Sequence, residues 1–407
     1  MVELRMPNLE AVVMLIKNTD TVTKEIKKFN KPYKLFDNNI LKFLETFNNE
    51  IKKNRQFRNF PDLFFLNFWL RKKNLDKIKL EYGNLNDRIG LGVLFHITPS
   101  NMPTSFFYSF VFGILTGNVN IIRLPSKNYD QVNIILKTLE RVFKINKFKE
   151  IKNTSFFVKY SDKYETTKIF SSLCNARIIW GGDETINKIR QIDLPAKSRE
   201  ITFSDRISLS VFNANKIYNL TNNSLEKLCN SFFSDAYFID QNACSSPHLI
   251  LWYGNNFVRA KNKFWKKLTE IALIKYDLPE IGALEKFSHY CDDVINNKVI
   301  TKKLTNTFVY NFDLKNQKIN LDKSRSKWGY FYEKKLSNLN DLKKFDNVKN
   351  QTLTYFGFKK DLLLNVVIKN NLLGIDRIVP VGHAHDISTK WDGYDIVYSF
   401  SRVVDSF

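Results

Sequence analysis

From residue 89 onward, short apolar runs alternate with helical patterns across brief connections, and few folds tolerate that alternation. Residues 89–97 form a nearly continuous apolar run bounded by glycines and Pro99, the pattern of a strand buried on both faces. Ser100-Asn101-Met102-Pro103-Thr104-Ser105 then supplies caps and a proline for an apolar helix over 106–115, which Gly117-Asn118 closes. Strands are predicted at 119–124, 155–158, 176–180 and 201–203, with helices at 129–143, 165–174 and 184–190 between them. Strand and helix taken in turn argue an α/β fold with a doubly wound parallel sheet. Such a sheet binds nucleotides at the carboxyl ends of its strands.

A second α/β unit is predicted from about 206. It starts with a strand over 207–212 and a helix over 224–233. A short strand at 236–239 then leads into Asp240-Gln241-Asn242-Ala243-Cys244-Ser245-Ser246-Pro247. A further strand over 248–252 and a helix over 261–276 follow. A cysteine on a tight turn of small residues can project into a cleft, with neighbouring backbone N–H groups aimed at a developing oxyanion. The other reading of Cys244 is a small buried hydrophobe. Residues 300–350 are polar, but Phe308, Tyr310, Trp328, Tyr330 and Phe331 need burial. The pattern over 366–371 is mixed, and 394–398 reads as a strand. Ahead of the alternation, 1–80 reads as helical, with Phe64, Phe65, Phe68, Trp69 and Leu70 expected as one buried stripe. The expected division is a dinucleotide-binding domain at 1–205 and a catalytic domain at 206–373. A C-terminal segment, 374–407, is expected to return across the cleft and take part in subunit contact.

The 407 residues include 43% hydrophobic ones, enough for two or three cored domains. Cys174, Cys229, Cys244 and Cys291 show no paired spacing, so neither a disulfide framework nor a metal site is expected, and a reducing cytoplasm is the natural home. The apolar run at 11–16 is too short for a signal segment, and the one at 106–115 too short for a membrane span. The formal charge of +22 raises nucleic acid as a partner. The lysines form no tract, however, and read as a solvated surface whose field would favour a phosphate-bearing ligand. In the nucleic-acid alternative, Cys244 would only pack.

No phosphate-binding P-loop is present, and Gly90 with Gly92 does not complete a dinucleotide fingerprint. Three strand ends offer a ligand crevice instead: Ile97-Thr98-Pro99-Ser100-Asn101, Arg123-Leu124-Pro125-Ser126 and Trp180-Gly181-Gly182-Asp183. No carboxylate follows the strand at 119–124, where NAD-specific sites hold the ribose 2′-hydroxyl. Arg123, Ser126 and Lys127 stand there, suited to a 2′-phosphate and hence to NADPH.

Taken with the cysteine turn, these stretches resemble the LuxC-type acyl-CoA reductases, the fatty-acid reductase component of bacterial bioluminescence and its relatives, which have the aldehyde dehydrogenase fold. The resemblance runs from Trp69-Leu70-Arg71 through His96-Ile97-Thr98-Pro99-Ser100-Asn101-Met102-Pro103 and Phe203-Ser204-Asp205-Arg206 to Asp240–Pro247. It continues through Gln351-Thr352-Leu353-Thr354 and Gly374-Ile375-Asp376-Arg377 to Trp391-Asp392-Gly393-Tyr394-Asp395. It implies that Cys244 accepts the acyl group and that Asn101 helps form the oxyanion hole. It places Arg123 and Ser126 near the adenine-side ribose, and Gly181, Gly182 and Asp183 under the coenzyme phosphates. It implies a nicotinamide coenzyme, usually NADPH, and a long-chain acyl-CoA or acyl-carrier thioester. A homo-oligomer and an acyl-transferring partner protein are expected with it. A short acyl-CoA or an acyl phosphate is the alternative substrate on the same fold.

Two departures matter. Oxidising members of the fold carry a glutamate that activates water; here the matching stretch is Thr202-Phe203-Ser204-Asp205, which argues reduction. They also hold the nicotinamide ribose with a glutamate near the position of Thr354, and the resemblance implies that Thr354 stands at that end of the coenzyme site here. His96, close to Asn101, is a candidate to lower the thiol pKa or donate a proton, or else a hydrogen-bonded structural histidine. His248 reads as structural. His383 and His385 would share one strand face, but no third ligand accompanies them.

Overall fold

A computed structural model describes residues 15–28, 32–99, 102–161, 164–296, 298–300, 304, 306–315 and 325–406. The chain forms two compact units, residues 1–204 with 394–407, and residues 205–393.

The first unit begins with helices α1 (Thr19–Ile26), α2 (Asn38–Ile51), α3 (Pro61–Trp69) and α4 (Lys72–Tyr82). Asp37 caps α2, and Ile40, Phe43, Leu44, Phe47 and Ile51 line its buried face at helical spacing. On α3 the expected stripe divides. Leu63, Leu66 and Trp69 are buried with Leu70, whereas Phe64 and Phe68 lie 55% exposed and Phe65 39%. Residues at i, i+1 and i+4 share one side of a helix, and here that side is the outer one.

The chain continues through β1 (Arg88–Gly90), β2 (Val93–Ile97), α5 (Ser105–Leu115), β3 (Val119–Arg123), α6 (Asp130–Phe143) and α7 (Lys149–Asn153). Next come β4 (Ser155–Val158), α8 (Glu165–Leu173), β5 (Ala176–Trp180), α9 (Asp183–Arg190) and β6 (Arg199–Phe203). The expected strand over 89–97 is broken at Gly92, whose φ is +121° and where a Cβ would lie 2.3 Å from Asn175 Oδ1. Gly117 ends the α5 connection at φ +77°, where a Cβ would meet the Tyr33 carbonyl. Strands β2 to β6 form a parallel sheet in the order β4-β3-β2-β5-β6. The order reverses between β2 and β5, so the crevice beyond their carboxyl ends is the switch point where ligands bind such sheets.

The second unit contains β7 (Ile207–Asn213), α10 (Ala214–Tyr218), α11 (Asn222–Tyr237), β8 (Pro247–Tyr253), α12 (Phe257–Lys275) and α13 (Glu280–Ile295). It continues with β9 (Tyr310–Asp313), β10 (Tyr330–Leu336), β11 (Asn350–Phe356), α14 (Lys360–Lys369), β12 (Arg377–Pro380) and β13 (Lys390–Trp391). Six strands run parallel in the order β12-β11-β7-β8-β10-β9. Leu249 and Leu251 point into one core beside Tyr310, Tyr330 and Leu353. Ile250 and Trp252 point into the other, beside Phe212, Phe232 and Phe264. This is a sheet buried on both faces.

The strand expected at 236–239 is absent. Leu225, Leu228, Cys229, Phe232 and Ala236 keep a helical spacing that carries α11 to Tyr237. The stretch 374–407 is divided between the units. From Tyr394 it forms β14 (Tyr394–Asp395), α15 (Ile396–Ser399) and β15 (Ser401–Val403), and β15 pairs antiparallel with β1. The strand predicted at 394–398 is instead mostly the short helix α15, because the Asp395 carboxylate accepts from the Tyr398 N–H at 3.1 Å and caps it. Among the described residues no helix is long and apolar enough to cross a membrane.

Candidate active site

The turn between α11 and β8 carries Cys244. Its first two residues, Asp240 and Gln241, adopt left-handed conformations at φ +51° and +61°, a cost of about 1–2 kcal/mol for each non-glycine residue. Such conformations persist only where surrounding bonds impose them. Gln241 is fully buried and uses its whole hydrogen-bonding capacity. Its amide nitrogen donates to the carbonyls of Pro247 and Tyr330, both at 2.9 Å, and its oxygen accepts from the N–H groups of Gly329 (3.1 Å) and Tyr330 (3.0 Å). The Tyr276 hydroxyl donates to Asp240 Oδ1 at 2.7 Å, and the Trp328 N–H to the Asp240 carbonyl at 3.1 Å. Arg325 donates to the carbonyl of Asn242. Behind Trp328 stands Lys286, buried on α13, whose Nζ donates to the carbonyls of Trp328 (2.6 Å) and Phe308 (3.2 Å). Burial pushes its ammonium down to about 7.

The cysteine is pinned from the sheet side as well. Ser208 on β7 donates to the Cys244 carbonyl at 2.7 Å and accepts from the Thr352 N–H at 3.1 Å. At Ser208 both neighbouring strands carry one extra residue: Ser208 pairs with Pro247 but Leu209 with Leu249, and Ile207 pairs with Asn350 but Leu209 with Leu353. Bulges of this kind re-aim side chains and recur beside active sites. Next to Cys244, Ser245 Oγ lies 2.9 Å from His385 Nδ1. His385 comes from the loop after β12, in a turn rather than on the expected strand. Its neighbour His383 pairs with Asp386 at 2.7 Å in an exposed position, so the two rings point to different partners. His248, the extra residue of the β8 bulge, is fully buried, and burial beside Arg325 and His289 pushes its ring well below the ordinary range.

The four thiols differ. Cys174 and Cys229 are buried, their Sγ atoms facing the carbonyls of Ser171 and Phe264, and burial pushes both up to about 12. Such thiols are inert at neutral pH. Cys244 and Cys291 are partly exposed, and of these Cys244 alone sits on the turn just described.

In the first unit the expected coenzyme residues occupy adjacent strand ends. Thr98, after β2, donates its hydroxyl to the Arg123 carbonyl at 2.8 Å and ties β2 to β3 there; Pro99 follows it. The Arg123 guanidinium lies over the Tyr160 ring at 5.1 Å, with Ser126 and Lys127 exposed beyond it. Across the switch point, Gly181 follows β5, Gly182 is the N-cap of α9 and Asp183 its first residue. Gly182 has no side chain with which to cap that helix, and N–H groups at a helix start suit the phosphates of a dinucleotide. Ser100 and Asn101 lie outside the described residues.

Two further candidates, His96 and Thr354, are held within their own units. His96 on β2 is fully buried, and both ring nitrogens are engaged. Nε2 lies 3.0 Å from Asn120 Oδ1, an acceptor, so Nε2 carries the proton. Nδ1, 2.7 Å from Ser109 Oγ, then accepts from that hydroxyl. Ser109 in turn accepts from the Trp180 indole N–H at 3.1 Å. Burial pushes the ring down to about 4, so it is neutral and committed to its own unit, a structural histidine rather than an acid or base. Thr354 is also fully buried, on β11, with its hydroxyl 2.5 Å from that of Ser210; its side chain presents nothing to a coenzyme. Sequence reading passed over Gln241, Ser208 and the Ser245–His385 pair. The glutamine three residues before the cysteine was the one local signal available for them.

The profile of the family described as "Acyl-CoA reductase (LuxC)" matches residues 7–279. The chain is 26% identical over 183 residues to a long-chain acyl-protein thioester reductase of Aliivibrio fischeri, a match spanning 45% of this chain and 36% of the relative's length. Among solved structures it is similar to the aldehyde dehydrogenase PutA, described as putative, of Anabaena variabilis, with TM-score 0.62 and 13% identity over 97% of this chain and 92% of that one. It is likewise similar to aldehyde dehydrogenase 21 of Physcomitrella patens, with TM-score 0.66 and 9% identity over 96% of this chain and 88% of that one. The fold is that of the aldehyde dehydrogenases, and the chain belongs to the LuxC acyl-CoA reductase family.

Proposed function

We propose that the chain is an NADPH-dependent reductase of long-chain acyl thioesters, with Cys244 as the acyl acceptor. The observation that carries this reading is the turn at 240–247, held in two unfavourable backbone conformations by buried bonds that converge on one partly exposed thiol. The Cys244 thiolate attacks the carbonyl carbon of an acyl-CoA or acyl-carrier thioester, forming a carbon–sulfur bond and an oxyanion. The Asn101 amide and a backbone N–H beside Cys244 hold that oxyanion, each worth about 3 kcal/mol. The carrier thiolate leaves, and the acyl group stays on Cys244. When bound, the reduced nicotinamide supplies the hydride that the acyl carbon takes up. The hemithioacetal on Cys244 then collapses, returning the thiolate and releasing a fatty aldehyde. Thr98, Pro99, Ser100, Gly181, Gly182 and Asp183 hold the dinucleotide, while Arg123, Ser126 and Lys127 receive its 2′-phosphate. The residues at Thr202–Asp205 offer no glutamate to activate water, which favours hydride uptake over hydrolysis.

The test is incubation with a labelled long-chain acyl-CoA, followed by mass analysis of protein and product. An acyl-protein adduct without NADPH and a fatty aldehyde with it are expected. Free fatty acid as the main product, or no reaction under either condition, contradicts the proposal.

A further inference from the structure

His385 meets the side chain of the residue next to the proposed nucleophile. We infer that His385 is a positioning residue that fixes Cys244 through the Ser245 hydroxyl. The inference rests on the reading of Cys244 as the acyl acceptor. Ser245 is the next residue after Cys244, and its Oγ lies 2.9 Å from His385 Nδ1. The Cys244 carbonyl is already pinned by Ser208 at 2.7 Å. Holding the Ser245 side chain as well fixes the peptide between the two residues from both ends. The orientation of the thiol and of the Ser245 N–H follows from that peptide.

The loop that carries His385 is built around it. Asp235, buried near the end of α11, accepts from the backbone N–H groups of Gly382 (2.6 Å) and Ala384 (3.0 Å). Arg377, also buried, donates to the carbonyls of Ala384 (3.0 Å) and Asp386 (2.8 Å). Two buried ionisable side chains thus direct their hydrogen bonds to the backbone on either side of one residue. Buried charged groups are costly unless fully bonded, and here the group they immobilise is an imidazole. That ring is partly exposed at its edge, and burial of the rest pushes it down to about 4, so it meets Ser245 as a neutral partner. Its Nε2 lies against the backbone carbonyls of Ser234 and Asp235, which keep the proton on that nitrogen and leave Nδ1 to accept from Ser245.

The experiment uses the full-length protein without coenzyme, so that transfer from a long-chain acyl-CoA to Cys244 is followed in a single turnover by mass analysis. Ser245→Ala and His385→Leu are each expected to slow acylation about 10- to 100-fold, the usual consequence of a misplaced reacting group. Half-saturation by the acyl-CoA should change by less than about two-fold, since the lost bond does not touch substrate. The double variant should be no slower than the slower single one, because both remove the same contact. His385→Asn should recover most of the rate, since its amide oxygen can accept from Ser245 near the place of Nδ1. Additive losses in the double variant, a full rate in Ser245→Ala, or an Asn variant as slow as the Leu variant would overturn the inference. A wild-type protein that acquires no acyl group on Cys244 would overturn the reading of the site and the inference with it.

Discussion

His96 is fully buried and His385 partly so, and burial pushes both rings down to about 4. They differ in what surrounds them. His96 is the middle of a closed chain from Trp180 through Ser109 to Asn120, every nitrogen paired. His385 reaches, through Nδ1, the residue beside the candidate nucleophile, while its Nε2 faces the carbonyls of Ser234 and Asp235. A depressed histidine therefore says little about function; what the ring completes its hydrogen bonds with says more. A satisfied ring welds strands and helices of its own unit together, whereas the ring in the cysteine region finishes a turn whose backbone is already forced.

In the proposed mechanism the oxyanion donor is Asn101 and not its near neighbour His96. Asn101→Ala should slow acylation by about 10²-fold or more while NADPH binding is nearly unchanged, because the lost bond forms mainly in the transition state. A variant that acylates at the wild-type rate but no longer binds NADPH would move Asn101 to the coenzyme site. Arg123 tests the strand ends of the same unit. A charge-assisted hydrogen bond to a 2′-phosphate is worth about 1.5–3 kcal/mol, so Arg123→Ala should shrink the preference for NADPH over NADH by about 10-fold or more. Steady-state efficiencies with both coenzymes measure it, and an unchanged ratio removes Arg123 from that role.

His96→Leu is the sharpest test of the comparison itself. It should leave the acylation rate of folded protein within about two-fold of wild type. It should lower stability by about 1–3 kcal/mol, because Asn120 and Ser109 lose a buried partner. A large loss of rate with unchanged stability would make His96 functional after all. A further effect concerns pH. Each ring is neutral when folded and titrates near 6.5 when unfolded, so the folded state binds fewer protons between those values. Stability from each ring is complete above about 6.5 and is lost as pH falls towards about 4, at up to about 1.4 kcal/mol per pH unit. Denaturant midpoints across that range should show a shallower acid slope in His96→Leu than in wild type. An identical slope would mean that the His96 ring is charged in the folded state.

Much of the fold is legible in the sequence because a strand buried on both faces is mostly apolar, as 93–97, 119–123 and 176–180 are apart from His96, Asn120, Arg123 and Arg177. The cysteine turn is legible for a related reason: small residues between two cored elements leave room for a thiol and little else. What stays hidden is set at long range. Ser245 and His385 are 140 residues apart and Ser208 and Cys244 36, distances at which no local periodicity survives. The continuation of α11 to Tyr237 is missed because Ala236, Tyr237, Phe238 and Ile239 read equally as a short strand. Only the preceding turns of helix decide between the two. Phe64 and Phe68 mislead in the opposite way, since hydrophobic character alone does not say which side of a helix meets the core.

The central claim is that the acyl group passes through Cys244. Intact protein incubated with a long-chain acyl-CoA in the absence of coenzyme, digested and analysed by mass, should carry one acyl group on the peptide containing Cys244. Cys244→Ser should abolish aldehyde formation. An acyl group on the peptide of Cys174, Cys229 or Cys291, or aldehyde formation that survives the loss of the Cys244 thiol, would contradict the account.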